Sequence, residues 1–198
     1  MKKVLATLLT ISTLSVMGGY SPNQEQIDGT DFSLIEYLEK HEVGSYSDFM
    51  DIIQAVNPDS VDNYEYSPES ISEFSIEINY DDRTVSVLTV GEAVIDRYQV
   101  ASNDASKSYY NDSGAKIFTI SVSGTFTYGT GYCNVVSHDG SYTKPSYSTW
   151  TSTPTITSGN ITASKAYVRI YGIARSGSNS KSYTLTLTCD DTGHFTSY

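Results

Sequence analysis

Positive charge is scarce in this sequence. Lys and Arg total 12 of 198 residues against 23 Asp and Glu, a formal net charge of −11. Nucleic-acid binding needs a strong basic patch, so this balance argues against it. Cysteine is scarcer still, with Cys133 and Cys189 alone. The motifs of nucleophilic and metal-dependent hydrolysis are missing: no G-x-S-x-G elbow, no H-E-x-x-H and no C-x-x-C occurs. Apolar runs are confined to the first seventeen residues, and no later run has membrane length. No Cys follows the small residues of that N-terminal stretch, as a lipid anchor requires, and no hydrophobic tail follows His194 to Tyr198, as wall sorting requires.

What is present at the N-terminus is a targeting pattern. Lys2 and Lys3 precede the mostly apolar run from Val4 to Met17, and Gly18, Gly19 and Tyr20 follow. A charged start, a short apolar run and small residues read as a secretory signal peptide over residues 1–19. The expected protein is secreted or loosely associated with the cell envelope, with no membrane span in the mature chain. In an oxidising compartment an even cysteine count favours a Cys133–Cys189 disulfide, and closing so long a loop stabilises by about 4 kcal/mol on the chain-entropy account.

The remaining charge is uneven. Residues 20–104 carry 19 acidic and 3 basic side chains; residues 105–198 carry 4 and 7. This shift predicts two modules meeting near Ser102–Ser106, the alternative being one domain whose helices carry the acids. In the acidic module, Ser33 with Glu36 reads as a capping box and Phe32 with Tyr37 as a staple, with Gly44 ending the helix. A second helix begins near Ser47. Its Phe49, Ile52, Ile53 and Val56 share one face, and Asn57-Pro58 stops it. Phe74, Ile76 and Ile78 alternate as a strand, Asp81-Asp82 turn the chain into Thr84–Leu88, and a further strand is expected over Ala93–Val100.

The second module reads as all β. Phe118, Ile120, Val122, Phe126 and Tyr128 alternate with hydroxyl residues, with Gly124 as the expected bulge or bend. Val168 and Ile170 alternate with Tyr167, Arg169 and Tyr171. Ser176–Ser180 turn the chain back as Tyr183, Leu185, Leu187 and Cys189. Gly129-Thr130-Gly131, Asp139-Gly140 and Gly159-Asn160 are expected as further turns.

The stretch Ser123–Tyr128, then Cys133, Trp150 and Leu185–Cys189, resembles the terminal module of small, uncharacterised exported proteins of Gram-positive gut and soil bacteria. The resemblance covers roughly the last ninety residues and implies a fold and a disulfide, not an activity. The Cys-Trp-Cys order also resembles an immunoglobulin-like sandwich, although Leu187 stands where a tyrosine corner would place Tyr. The expected fold is therefore α+β: a small acidic helix-plus-strand module over residues 20–104, then an antiparallel, immunoglobulin-like sandwich over residues 105–198.

Candidate chemistry is thin. Thr186-Leu187-Thr188-Cys189 falls one residue short of the sortase T-L-x-T-C, and no Arg follows Cys189. His41 ends a helix, where a cation complements the dipole. His138 precedes a turn and His194 lies in the tail. A hydrolase would need a pocket joining His138 or His194 to carboxylates of the acidic half. Asp190-Asp191 with Thr192 and Gly193 reads as a terminal turn, with a share in a Ca²⁺ site as the alternative. Neither a metal nor a cofactor is expected. The polar strand faces are rich in hydroxyls: Thr119, Ser121, Ser123, Thr125, Thr127, Thr184, Thr186 and Thr188. Around them stand Tyr128, Tyr132, Tyr142, Tyr147, Trp150, Tyr167 and Tyr171, side chains that stack on sugars or enter protein interfaces. The leading expectation is a non-catalytic protein-interaction module, and the second a carbohydrate-binding module. A row of exposed aromatics favours sugar; scattered Tyr around an apolar patch favours protein.

Overall fold

Local capping signals set both helices. The computed structural model describes residues 32–60, 71–96 and 99–198, so the expected signal peptide lies outside the described residues. Helix α1 (Leu34–Lys40) begins at Ser33, whose Oγ accepts the Glu36 N–H at 3.2 Å. Phe32 and Tyr37 meet across this cap with ring centroids 5.9 Å apart. The helix ends at His41, ahead of Gly44, because the His41 N–H closes on the Tyr37 carbonyl and its ring stacks on Tyr37 at 4.2 Å. Helix α2 (Tyr46–Val56) is capped by the Ser45 hydroxyl and stops at Asn57, before Pro58.

Ten strands follow. They are β1 (Ile71–Asn79), β2 (Thr84–Gly91), β3 (Val94–Asp96), β4 (Val100–Asn111), β5 (Lys116–Gly129), β6 (Tyr132–Thr143), β7 (Thr155–Thr162), β8 (Lys165–Ser176), β9 (Asn179–Asp190) and β10 (Phe195–Ser197). They form two antiparallel sheets. The first is ordered β1-β2-β4-β5-β6, with β3 also on β4; the second is ordered β10-β9-β8-β7. Strand β3 continues the line of β2 along β4 after the pairing slips by one residue between Val90↔Ala105 and Val94↔Ser102. Each sheet is thus a meander, and the whole is a β-sandwich-like α+β fold.

Alternation decides the layers. The inward face of the first sheet contributes Ala101, Ala105, Phe118, Ile120, Val122 and Phe126. The second sheet answers with Ala166, Val168, Ile170, Leu185 and Leu187, all in one core. On the outward face of the first sheet, Val85, Val87 and Tyr110 are covered by Leu34, Phe49 and Ile53 of the helices. Phe49 meets the Tyr110 ring edge-on at 5.2 Å. Gly114, at φ +77 in the β4–β5 turn, sits where a Cβ would come within 2.8 Å of Val56, so α2 closes directly onto that turn.

Several sequence expectations change. The segment 102–107, read as a linker, is the middle of β4, paired with β5 throughout and with β2 from Ala105 onward. The boundary expected between residues 104 and 105 falls inside that strand. Basic residues of the C-terminal half instead hold acids of the N-terminal half. Lys107 Nζ lies 3.0 Å from Glu77, and Lys181 Nζ lies 2.6 Å from Asp82. Asp139-Gly140 and Gly159-Asn160, expected as turns, run inside β6 and β7. The bulge lies on β6, where Val136 is the extra residue between Ser137↔Thr125 and Val135↔Phe126; Gly124 keeps regular register with Asn103 and His138. A Cβ on Gly124 would come within 2.9 Å of Val168, which makes this the point where the two sheets approach closely.

Candidate binding face

The expected aromatic residues do not share one surface. Tyr142 and Trp150 pack against Phe118, with ring centroids 5.2 and 6.1 Å away, and belong to the core. Tyr128 packs on that core beside Gly193. Tyr132 lies over Gly129 and donates its hydroxyl to Gln99 at 3.2 Å. Tyr147 is exposed in the connection from β6 to β7. The hydroxyl rows also separate. Thr119–Thr127 face outward from the first sheet, and Thr184, Thr186 and Thr188 from the second.

Tyr167 and Tyr171 do share a face, the outward side of β8. Register places Thr157 of β7 and Thr186 of β9 on either side of Arg169, and Thr155 and Thr184 on either side of Tyr171. Arg169 lies 5.1 Å from the Tyr167 ring centroid and donates its Nε to Thr186 Oγ1 at 3.0 Å. Tyr167 also covers Gly159 across the β7–β8 ladder. The Tyr167 ring is therefore pinned, while Tyr171 and Ile173 stand more open, at 40% and 43% exposure. At the far end of β8 a hollow of about 400 Å³ is lined by Thr151, Ser152, Thr153, Ile173 and Arg175. Lys165, Ile173 and Arg175 lie on this face as well, and Arg169, expected there as a strand residue, joins them as a candidate binding residue. The same two-residue period that carried Tyr167, Arg169 and Tyr171 extends to all of them.

A second hollow, of about 410 Å³, lies on the first sheet at the slip between β2 and β3. Glu92, Asp104, His138 and Asp139 line it with Ser102, Ser123, Thr125 and Ser137. Asp104, Ser123 and Asp139 form one row across β4, β5 and β6, so the two carboxylates sit on one face about 10 Å apart at Cα. Burial pushes the Asp104 carboxyl above its usual range, and no hydrogen bond to that carboxylate is found among the described residues. A Cβ at Gly91 would meet Asp104 Oδ1 at 2.6 Å, so only glycine leaves room for the carboxylate there. His138, next to Asp139 in β6, is exposed at the edge of the hollow, and no hydrogen bond joins it to these carboxylates among the described residues.

His194 and the acidic turn are occupied locally. Asp190 Oδ1 accepts the Thr192 hydroxyl at 2.6 Å, the Thr192 N–H at 2.9 Å and the His194 N–H at 3.1 Å. Burial opposes ionisation of Asp190, but these donors hold its carboxyl below the ordinary range. Asp191 Oδ2 accepts the Gly131 N–H. Both carboxylates face N–H and O–H donors, the reverse of what a Ca²⁺ ion needs. Among the described residues, no cluster of three His, Cys, Asp or Glu could hold a metal, and no helix is long and apolar enough to cross a membrane.

Cys133 and Cys189, expected as a disulfide, are two free thiols, both fully buried in the sandwich core. Burial pushes both thiols up, and Cys189 Sγ donates to the Asp190 carbonyl at 3.5 Å.

The chain matches no protein-family model, no curated protein and no solved structure.

Proposed function

We propose that this protein is an exported, non-catalytic binding protein, and that the outward face of the four-stranded sheet holds a carbohydrate chain. The observation that carries this reading is the β8 row: Tyr167 and Tyr171 on one face, flanked by the exposed Thr155 and Thr184 and the half-buried Thr157, while Thr186 is buried beneath Arg169. Aromatic faces accept the C–H side of sugar rings, and flanking hydroxyls exchange hydrogen bonds with theirs. A protein-interaction reading has less support. Of the most exposed large apolar side chains, Val94 and Ile95 are neighbours on β3 and point to opposite faces, while Val136 stands on β6 and Tyr198 at the C-terminal end. The N-terminal targeting pattern supports export.

Export bears on the thiols. We infer that in an oxidising compartment Cys133 and Cys189, free thiols in this structure, are oxidised to a disulfide, which requires their side chains to move together. Each thiol would lose a proton and one electron to a disulfide-bearing oxidant, itself reduced to a dithiol. The immunoglobulin-like reading extends to two packed antiparallel sheets and no further, since Greek-key connections define that fold and both sheets here are meanders.

A glycan array with the mature protein and Tyr171→Ala tests the binding reading. Wild-type protein should bind a set of polysaccharides, and the variant should lose most of that binding while unfolding at the same temperature. Binding to no glycan, or binding indifferent to Tyr171, would count against it.

A further inference from the structure

Resting on that reading, we propose that the carbohydrate held by the β8 face is an anionic polysaccharide, one whose repeating units carry carboxylate or phosphate groups. Outward-facing positions of β8 recur every second residue: Lys165, Tyr167, Arg169, Tyr171, Ile173 and Arg175. From Lys165 to Tyr171 cation and ring alternate in steps of about 7 Å, so that like groups recur about every 13 Å. The register fixes what flanks them. Opposite Arg169 and Tyr171 stand only Thr155, Thr157, Thr184 and Thr186, while Ile173 and Arg175 face Ser182 and Ser180. The single carboxylate in line is Asp190, opposite Lys165, and it is already occupied by Thr192 and His194.

This is unusual in a chain with nearly twice as many acids as bases. The other lysines of the C-terminal half have internal partners. Lys107 pairs with Glu77 and Lys181 with Asp82. Lys116 is buried over the Tyr110 ring, and Lys144 donates to the Ser148 carbonyl. By contrast, Lys165, Arg169 and Arg175 have no ion-pair partner among the described residues. The Arg169 Nε goes to Thr186, which orients the guanidinium and leaves its terminal nitrogens for a ligand. The hollow beside Arg175 continues the row, giving an extended chain a place for one further unit. Arg169 and Arg175, which face no carboxylate, and Lys165, which faces only Asp190, interleave with the rings and fit a polymer that alternates apolar sugar faces with fixed negative charge.

The test compares binding of the full mature protein to neutral β-glucan, a polyuronate and a phosphate-bearing glycan, each across a salt series. Arg175→Gln, Lys165→Gln and Arg169→Gln serve as charge variants. Arg175 is exposed, so its variant should fold normally even if Arg169→Gln disturbs Thr186. The polyuronate, the phosphate glycan or both should bind more tightly than the neutral polymer, weaken as salt rises, and lose about tenfold with each charge variant. Which polyanion binds identifies the group read by the arginines. Equal binding to neutral glucan, indifferent to salt and to Arg175→Gln, would overturn the anionic inference and leave the carbohydrate reading standing. Binding to no glycan would overturn both. Tighter binding of single-stranded DNA or of a poly-glutamate peptide would also overturn the inference, by showing a site for bare polyanions.

Discussion

Lys181 Nζ sits 2.6 Å from Asp82 Oδ2 and 2.7 Å from Thr84 Oγ1, tying β9 to the β1–β2 turn across 99 residues of chain. The Lys181 side chain is only 10% exposed and its ammonium stands 5.5 Å from the Tyr109 ring centroid. The acidic and basic halves of the sequence are thereby two sides of one packed unit.

Removing the Asp82 carboxylate strands a nearly buried ammonium. Asp82→Asn should cost about 1–2 kcal/mol, the partial exposure of Asp82 keeping it below the loss expected for a fully buried pair. Lys181→Met should cost less, because it fills the space without a charge. Urea unfolding of the three proteins checks this. A single cooperative transition is expected throughout; separate transitions for residues before and after 104 would contradict a shared sheet.

Asp112 holds the start of α1. Its carboxylate accepts the Ser33 hydroxyl at 2.8 Å, the Ile35 N–H at 3.1 Å and the Arg83 Nε at 2.9 Å. Burial opposes its ionisation, yet the Ile35 N–H, Arg83 and Ser33 together hold its carboxyl below the ordinary range. The native state then binds this proton more weakly than the unfolded chain. The stability it contributes is present above the unfolded carboxyl pKa of about 4 and is lost as pH falls through the lower native value. Asp112→Asn should lower stability at pH 7 and flatten the acid limb of the stability curve. An unchanged acid limb would show that another carboxylate sets it.

Asp104 has the opposite sign. Its raised carboxyl binds a proton more tightly in the folded state, so its contribution is most favourable at low pH and is lost as pH rises through the native value. Asp104→Asn should therefore raise stability at pH 7 by a few tenths to about 1 kcal/mol, with the gain vanishing near pH 3. Melting temperatures of both proteins from pH 3 to 8 decide it. A destabilised variant at pH 7 would mean that the carboxylate has a native partner.

In reduced protein the thiols and buried phenols govern the alkaline side. Burial raises Cys133, Cys189 and Tyr109, and pushes Tyr142 up to about 12. These groups keep their protons in the native state, so stability should fall as pH climbs above about 9, where unfolded thiols ionise, and further above about 10, where unfolded phenols follow. Reduced protein should resist Ellman's reagent until unfolded. Exported protein should carry no free thiol, and reducing it should cost about 4 kcal/mol. Two titratable thiols in denatured exported protein would reject the disulfide.

Sequence alone determined the features whose causes lie within a few residues. Ser33 caps the first helix because a hydroxyl reaches an N–H group three residues on; the second helix, expected to begin near Ser47, is capped in the same way by Ser45. The alternation in Phe118–Tyr128 and Tyr183–Cys189 sorts inward from outward side chains whatever the partner strand. Tertiary structure alone decided which strands became neighbours. Asp139-Gly140 and Gly159-Asn160 carry turn signals, yet both run straight through strands. Gly140 packs against Ile156 and Gly159 lies under Tyr167, and those contacts outweigh local turn preference. The two-residue period already put Tyr167, Arg169 and Tyr171 on one side of β8. That no free carboxylate faces them depends on the registers of β7 and β9. That the acids of residues 20–104 are partly neutralised by Lys107 and Lys181 depends on pairings 30 and 99 residues apart. Charge counted along a chain cannot reveal such balance, because ion pairing depends on distance in space.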